Sequence, residues 1–357
     1  MTQPITLFTG QWADLTLDEV ASLAAKWGYD GLEIACSGEH LDVWAAAEDD
    51  AYLKQRKAIL DNHGLKTWAI SNHLTGQAVC DDPIDFRHQS ILRSKVWGDG
   101  EAEAVRQRAA EELKLTAIAA RKLGVDTVVG FTGSSIWQYV AMFPPVPQSV
   151  IDQGFEDFAK RWNPIMDVFD SEGVRFALEV HPSEIAYDYH TTVRTLEAID
   201  HREAFGLNWD PSHMIWQDID PVNFILDFAD RIYHVDCKDT RVFRNDGRRG
   251  RMGSHLSWDD PRRGWSFVST GRGDVDWEGS FRALRTIGYN GPISVEWEDA
   301  GMDRLHLDDG TLGFGQPQVD VLGQAFNQWL EHPVRYAKGH YLIHLDGKLP
   351  VQWLALR

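Results

Sequence analysis

The chain has 357 residues, a formal net charge of −19 and 43% hydrophobic residues, enough for a large core and too apolar for disorder as the main state. The charge argues against general nucleic-acid binding, which needs a cationic surface, and against adhesion to an anionic membrane. The 15 Trp imply a thick core and aromatic-lined contacts.

Cys36, Cys80 and Cys237 form neither a disulfide framework nor a C-x-x-C pair, as a reducing cytoplasm would favour. The first ten residues lack a basic region followed by an apolar run. No apolar stretch approaches the roughly 20 residues that span a bilayer. The expectation is a soluble, cytoplasmic protein without nucleic-acid or membrane partners.

Short apolar runs alternate with longer helical ones. Residues 5–10 read as a strand, and 17–27 as a helix opened by Thr16 or Asp18 and stopped by Gly28. A strand over 31–36 precedes a helix within 50–63, with Gly64 as its end signal. The third strand is expected over 65–74. A long helix over 101–123 ends at Gly124, and the fourth strand spans 127–133. A helix over 153–171, ended by Gly173, leads to the fifth strand at 174–180. A helix near 192–199 leads to the sixth strand at 205–210. A short helix over 221–228 precedes the seventh strand at 232–238. The helix 277–287 precedes the eighth strand at 292–297, and 319–330 is an amphipathic helix candidate.

Eight strands alternating with helices predict an α/β fold, a (β/α)8 TIM barrel, as one domain over residues 1–330. Residues 331–357 form a tail without clear pattern. Insertions near 75–100, 134–150 and 240–274 each follow a strand. In a barrel all three fall on the C-terminal face as long loops over an active site. The 240–274 insertion holds eight arginines, with His255, Trp258 and Trp265. It reads as a lid, a site for an anionic substrate, a subunit contact or a solvated loop.

Four late strands end in acids or imidazoles: Glu179-Val-His181, Asp210-Pro-Ser-His213, His234-Val-Asp236-Cys-Lys238 and Glu296-Trp-Glu298. Side chains two apart share a strand face, so Glu179 shares one with His181, and Asp236 with His234 and Lys238. A buried carboxylate is costly unless paired or metal-bound. Acids crowded at one barrel mouth repel, and a divalent cation removes the conflict. Oxygen ligands suit Mg²⁺ or Mn²⁺, and Mn²⁺ also accepts imidazole. Each acid alone also fits a helix cap or a surface ion pair.

This succession of motifs resembles the xylose isomerase-like barrel superfamily, over roughly residues 6–299. That group includes sugar isomerases, ketose 3-epimerases and inosose dehydratases. The resemblance implies one divalent ion, Mn²⁺ or Mg²⁺ before Co²⁺ or Zn²⁺, held by Glu179, Asp210 and Glu296. The strand-seven ligand is often the second His of a His-x-His pair. Here Asp236 stands at that position, after His234, and is the expected fourth ligand. Substrate contacts are expected from His213, Lys238, His234 and His73.

A metal that polarises a sugar carbonyl acidifies the neighbouring C–H and stabilises an enediolate. The resemblance implies Glu179 and Glu296 as acid/base groups, and His181 is a second base, titrating near neutrality if unperturbed. The expected activity is a metal-dependent sugar isomerase or epimerase. The alternative is a lyase on 3-oxo-glycosides, similar to C-glycoside deglycosidase subunits; a noncatalytic sugar-binding barrel ranks below both. The expected partners are a sugar or oxo-sugar substrate and further copies of the chain, or a partner subunit for a lyase.

Overall fold

The computed structural model describes residues 3–140, 143–243, 247–302 and 304. The helix candidate 319–330 and the tail 331–357 lie outside the described residues. Ten strands are present among those described: β1 (Ile5–Phe8), β2 (Gly31–Ala35), β3 (Lys66–Ser71), β4 (Thr127–Gly130), β5 (Arg175–Glu179), β6 (Phe205–Trp209), β7 (Ile232–Val235), β8 (Asp239–Val242), β9 (Trp265–Val268) and β10 (Ile293–Val295). Eight form a parallel sheet in the order β10-β1-β2-β3-β4-β5-β6-β7. A bridge between Asp236 and Ser294, with the Cys237 N–H donating to the Ser294 carbonyl at 2.7 Å, joins β7 to β10. The sheet thus comes round as a (β/α)8 barrel.

Strands buried on both faces read as apolar runs, and that is why the rhythm was visible. The first helix (Leu17–Trp27) begins with a capping box between Thr16 and Glu19 and ends at Gly28, whose φ of 87° is left-handed. Its apolar face buries Leu17, Val20, Ala21, Ala24 and Trp27 against the sheet.

The interior of the barrel has two levels. Ala69, Val129 and Ala177, from β3, β4 and β5, pack together as a small apolar cluster. Two residues further along their strands come Ser71 and Glu179, on the same faces. The lumen therefore changes from methyl groups to polar groups toward the C-terminal mouth, where barrel active sites form.

Several boundaries differ from the sequence expectation; β1, β4 and β7 end earlier, at Phe8, Gly130 and Val235. β3 stops at Ser71, and His73 opens a helix (His73–Cys80). Gly76 lets that helix lie against the exit of β4, since a Cβ there would stand 2.1 Å from the Phe131 carbonyl oxygen. The helix expected from 153 begins at Gln148, so that its first turn includes Val150 and Ile151, with Ile151 against the core. The insertion after β7 is partly an antiparallel hairpin, β8 with β9.

Candidate metal and sugar site

The acids at the strand ends converge. Glu179 ends β5, Asp210 follows β6, Asp236 follows β7 and Glu296 follows β10. One oxygen each from Glu179, Asp236 and Glu296 lies within 4.8 Å of the others. Asp210 joins them through Lys238, whose Nζ is 3.0 Å from Asp210 Oδ2, 2.9 Å from Glu296 Oε2 and 3.8 Å from Glu179 Oε1. All four acids are buried. Glu179 and Glu296 line a cavity of about 630 Å³, with Asp210 and Asp236 outside its lining, a volume within the range of roughly 300–1,000 Å³ that holds small organic ligands.

Imidazoles surround the carboxylates. His73 Nε2 is 3.0 Å from Glu179 Oε2, and His213 Nε2 is 3.2 Å from both Glu179 Oε1 and Asp210 Oδ2. Rings continue along the wall in edge or tilted contact. Phe8 meets His73, His73 meets Phe131, Phe131 meets His181, and His181 meets His213 at a centroid distance of 4.1 Å. His213 then meets Phe267 on β9, which stacks on Trp258. The hairpin insertion therefore supplies one end of the wall.

Burial alone would push the Glu179 carboxyl up. The Lys238 charge and the contacts with His213 and His73 outweigh it and hold Glu179 well below its usual range. Glu296 goes the other way: burial and the neighbouring charges of Glu179 and Glu298 raise it well above, against Lys238. Asp236 is pushed up to about 7 by burial and by the Glu33 charge. His181 is not near neutrality as expected; burial and then the His213 charge hold it well below its ordinary value.

Glu179 Oε1, Asp210 Oδ2 and Asp236 Oδ1 are buried without a well-directed hydrogen bond. Buried polar oxygens are seldom left so. Four hard-oxygen side chains converging in this way fit a divalent cation of the Mg²⁺ or Mn²⁺ kind.

Of the residues expected to meet substrate, His73, His213 and Lys238 line the cavity, as does His181. His234 does not line it. Its Nε2 lies 2.8 Å from Glu33 Oε2 and 3.6 Å from Asp236 Oδ1, one level down in the barrel. Three of the described arginines of the insertion engage the insertion itself or the neighbouring segment at Trp216. Arg263 lies over the Trp258 and Trp265 rings, Arg251 donates to the Trp216 carbonyl, and Arg262 pairs with Asp260. The described cavity lining holds no arginine.

Three contributors were not assigned roles from the sequence. Gln11 donates from Nε2 to Glu296 Oε1 at 2.8 Å. Glu33 on β2 accepts from Ser71 and Ser294; strand alternation, counted from Gly31, was the signal that it faces inward. Glu184, beyond β5, accepts from the backbone N–H groups of Thr132 and Gly133, both at 2.6 Å. It so fixes the loop that carries Phe131 between His73 and His181.

Burial, with the Asp81 charge, raises Glu184 to about 8 despite those donors. Its proton is therefore held more tightly in the folded chain than in the unfolded one. The corresponding stability is complete below the unfolded value near 4.5 and is lost as pH rises through about 8. Glu184→Gln keeps an acceptor and removes the titration. The variant's unfolding free energy, followed by its melting temperature, is expected to gain on the parent's between about pH 5 and pH 9, by an amount on the order of a few kcal/mol. Parallel melting curves across that range would refute this.

Fold and site together define a TIM-barrel protein with an acid-and-imidazole cluster at its C-terminal mouth. The chain belongs to the xylose isomerase-like TIM barrel family, whose model matches residues 21–318. It is 25% identical over 317 residues to the uncharacterized protein YfiH of Bacillus subtilis, covering 84% of this chain and 93% of that one. It is 29% identical over 123 residues to inosose dehydratase of Lacticaseibacillus casei, 32% of this chain and 40% of the relative. Among solved structures, the IolI protein with a bound zinc atom superposes with a TM-score of 0.60 at 18% identity, covering 90% of this chain and 99% of that one. An L-ribulose 3-epimerase gives 0.59 at 18% identity, covering 93% and 97%. At these identities the structures share the fold. No described helix is long and apolar enough to cross a membrane.

Proposed function

We propose that the protein is a divalent-metal-dependent sugar isomerase or epimerase that removes a proton beside a substrate carbonyl. The observation that carries this reading is the opening of Glu179 and Glu296, from strands on different sides of the mouth, onto one cavity beside Asp236. Glu179, Asp210, Asp236 and Glu296 would hold the ion. When bound, the ion supplies Lewis-acid polarisation of the carbonyl. The L-ribulose 3-epimerase and the zinc-bound IolI structure are in keeping with this reading.

The side chains divide the work. Glu179, steadied by His73 and His213, takes the proton from carbon on one face of the sugar. Glu296, steadied by the Gln11 amide, returns a proton on the other. Phe8, Phe131 and Phe267 offer flat apolar faces to the C–H surfaces of the sugar ring. They also exclude water from the reacting carbon. Lys238 is the only lysine or arginine in the described lining, against the carboxylates of Glu179, Glu296, Glu298 and Asp299, so the wall suits an uncharged sugar better than a sugar phosphate.

A second reading, elimination from an oxo-sugar, is favoured by His181. It lines the cavity, and its Nδ1 is buried without a partner. The partial match to inosose dehydratase agrees with it. Incubation in D₂O with Mn²⁺ and a panel of free keto-sugars and 3-oxo-glycosides separates the two. Deuterium at an inverted carbon is expected. Release of a leaving group without inversion would establish elimination, and no exchange with any sugar would leave a binding protein.

A further inference from the structure

We infer that Lys238 is an internal cation that shares the carboxylate cluster with the divalent ion. Its ammonium bridges Asp210 and Glu296 until the ion takes those oxygens, and then turns toward Glu298 and the Phe267 ring at the cavity wall. This rests on the reading of the cluster as a metal site.

The position of the ammonium is the first ground. Nζ is 3.0 Å from Asp210 and 2.9 Å from Glu296, both among the acids that would hold the ion. An ion on those same oxygens would stand within a few ångströms of Nζ, with water largely excluded. Like charges repel strongly at that range. Charge balance is the second ground. Glu179, Asp210 and Glu296 are all buried and share one lysine, Lys238, while Glu33 and Asp236 face His234. The lysine is too little charge for the cluster, so the cluster still favours a divalent ion.

The third ground is a place for the displaced group to go. Glu298 Oε2 is 3.6 Å from Nζ, on a side chain 37% exposed at the cavity rim. The Phe267 ring centroid is 5.0 Å from Nζ, within the range of a cation–π contact. The flexible four-carbon stem of lysine allows this swing without backbone movement. Loading the ion would thereby present an ammonium donor to the bound sugar, which the ion-free protein keeps hidden.

The test is calorimetric titration of the metal-stripped protein with Mn²⁺ alone. Lys238→Met removes the competitor and is expected to bind Mn²⁺ at least about tenfold more tightly. Glu298→Gln removes the landing partner and is expected to weaken Mn²⁺ binding severalfold, but to have no effect in the Lys238→Met background. Amine-reactive labelling read by mass spectrometry should find Lys238 protected in chelator and modified with Mn²⁺; this uses the parent protein and decides the matter even if Lys238→Met does not fold. Equal or weaker Mn²⁺ binding by Lys238→Met, an equal Glu298→Gln effect in both backgrounds, or labelling indifferent to Mn²⁺ overturns the inference alone. Absence of Mn²⁺ binding by both the parent and Lys238→Met overturns the metal reading and this inference together.

Discussion

Glu179→Gln is expected to lower kcat by about 10²–10⁴-fold, the range typical for loss of a positioned acid or base, with a much smaller change in KM. The amide has nearly the same shape. It keeps its contacts with His73 and His213, which lie 3.0 and 3.2 Å from the carboxylate, but it cannot take a proton from carbon. Glu296→Gln is expected to cut turnover by a similar factor with a different signature. The base on the first face survives, so substrate deuterium exchange should persist while inversion is lost. Rapid-quench measurement of exchange and of product, on both variants, checks this. Loss of exchange in Glu296→Gln with retention in Glu179→Gln would reverse the two roles. Full turnover in either would remove that residue from the chemistry. The melting temperatures should stay within a few degrees of the parent, since each amide keeps the shape of the side chain it replaces in a crowded cluster.

Much of this arrangement was legible in the sequence, for a simple reason. Parallel strands are buried on both faces and read as apolar runs, so an acid at the end of one stands out. Glu179, Asp210, Asp236 and Glu296 are each such an interruption. What was not legible depends on partners distant in the chain. Glu33 sits in an ordinary strand, and the His234 that pairs with it is 201 residues away. His234 was expected at the substrate because it lies two residues from Asp236 on the same face. That same alternation sets it deeper in the lumen, where Glu33 holds it. The arginines of the insertion suggested an anionic ligand. Among the described ones, Arg263 instead satisfies the Leu256 carbonyl at 2.9 Å, and Arg251 the Trp216 carbonyl outside the insertion. Residue types alone do not distinguish these uses. The end of β3 was misjudged because Asn72, His73 and Leu74 continue a strand-like run, while the helix they begin is set by its packing against Phe131.

The largest stability effect is expected at Glu33, beneath the cluster. Its carboxylate takes hydrogen bonds from Ser71 on β3 and Ser294 on β10, and it pairs with His234 on β7. With β2 itself, four strands meet on one side chain. Two of them, β7 and β10, flank the seam where the barrel is joined by the Asp236–Ser294 bridge. Glu33→Ala would leave His234 facing the Asp236 carboxylate alone, strand two hydroxyls and open a void in a buried layer. Removing one partner of a buried pair typically costs about 3–5 kcal/mol. For a chain of this size, that corresponds to a fall in melting temperature of roughly 10 °C. Glu33→Gln keeps an acceptor for the serines and loses only the charge toward His234, so its fall should be clearly smaller. Thermal melts of both variants in chelator isolate this effect from any bound ion. A drop of under about 3 °C for Glu33→Ala would mean that the seam is held by its strand pairing alone.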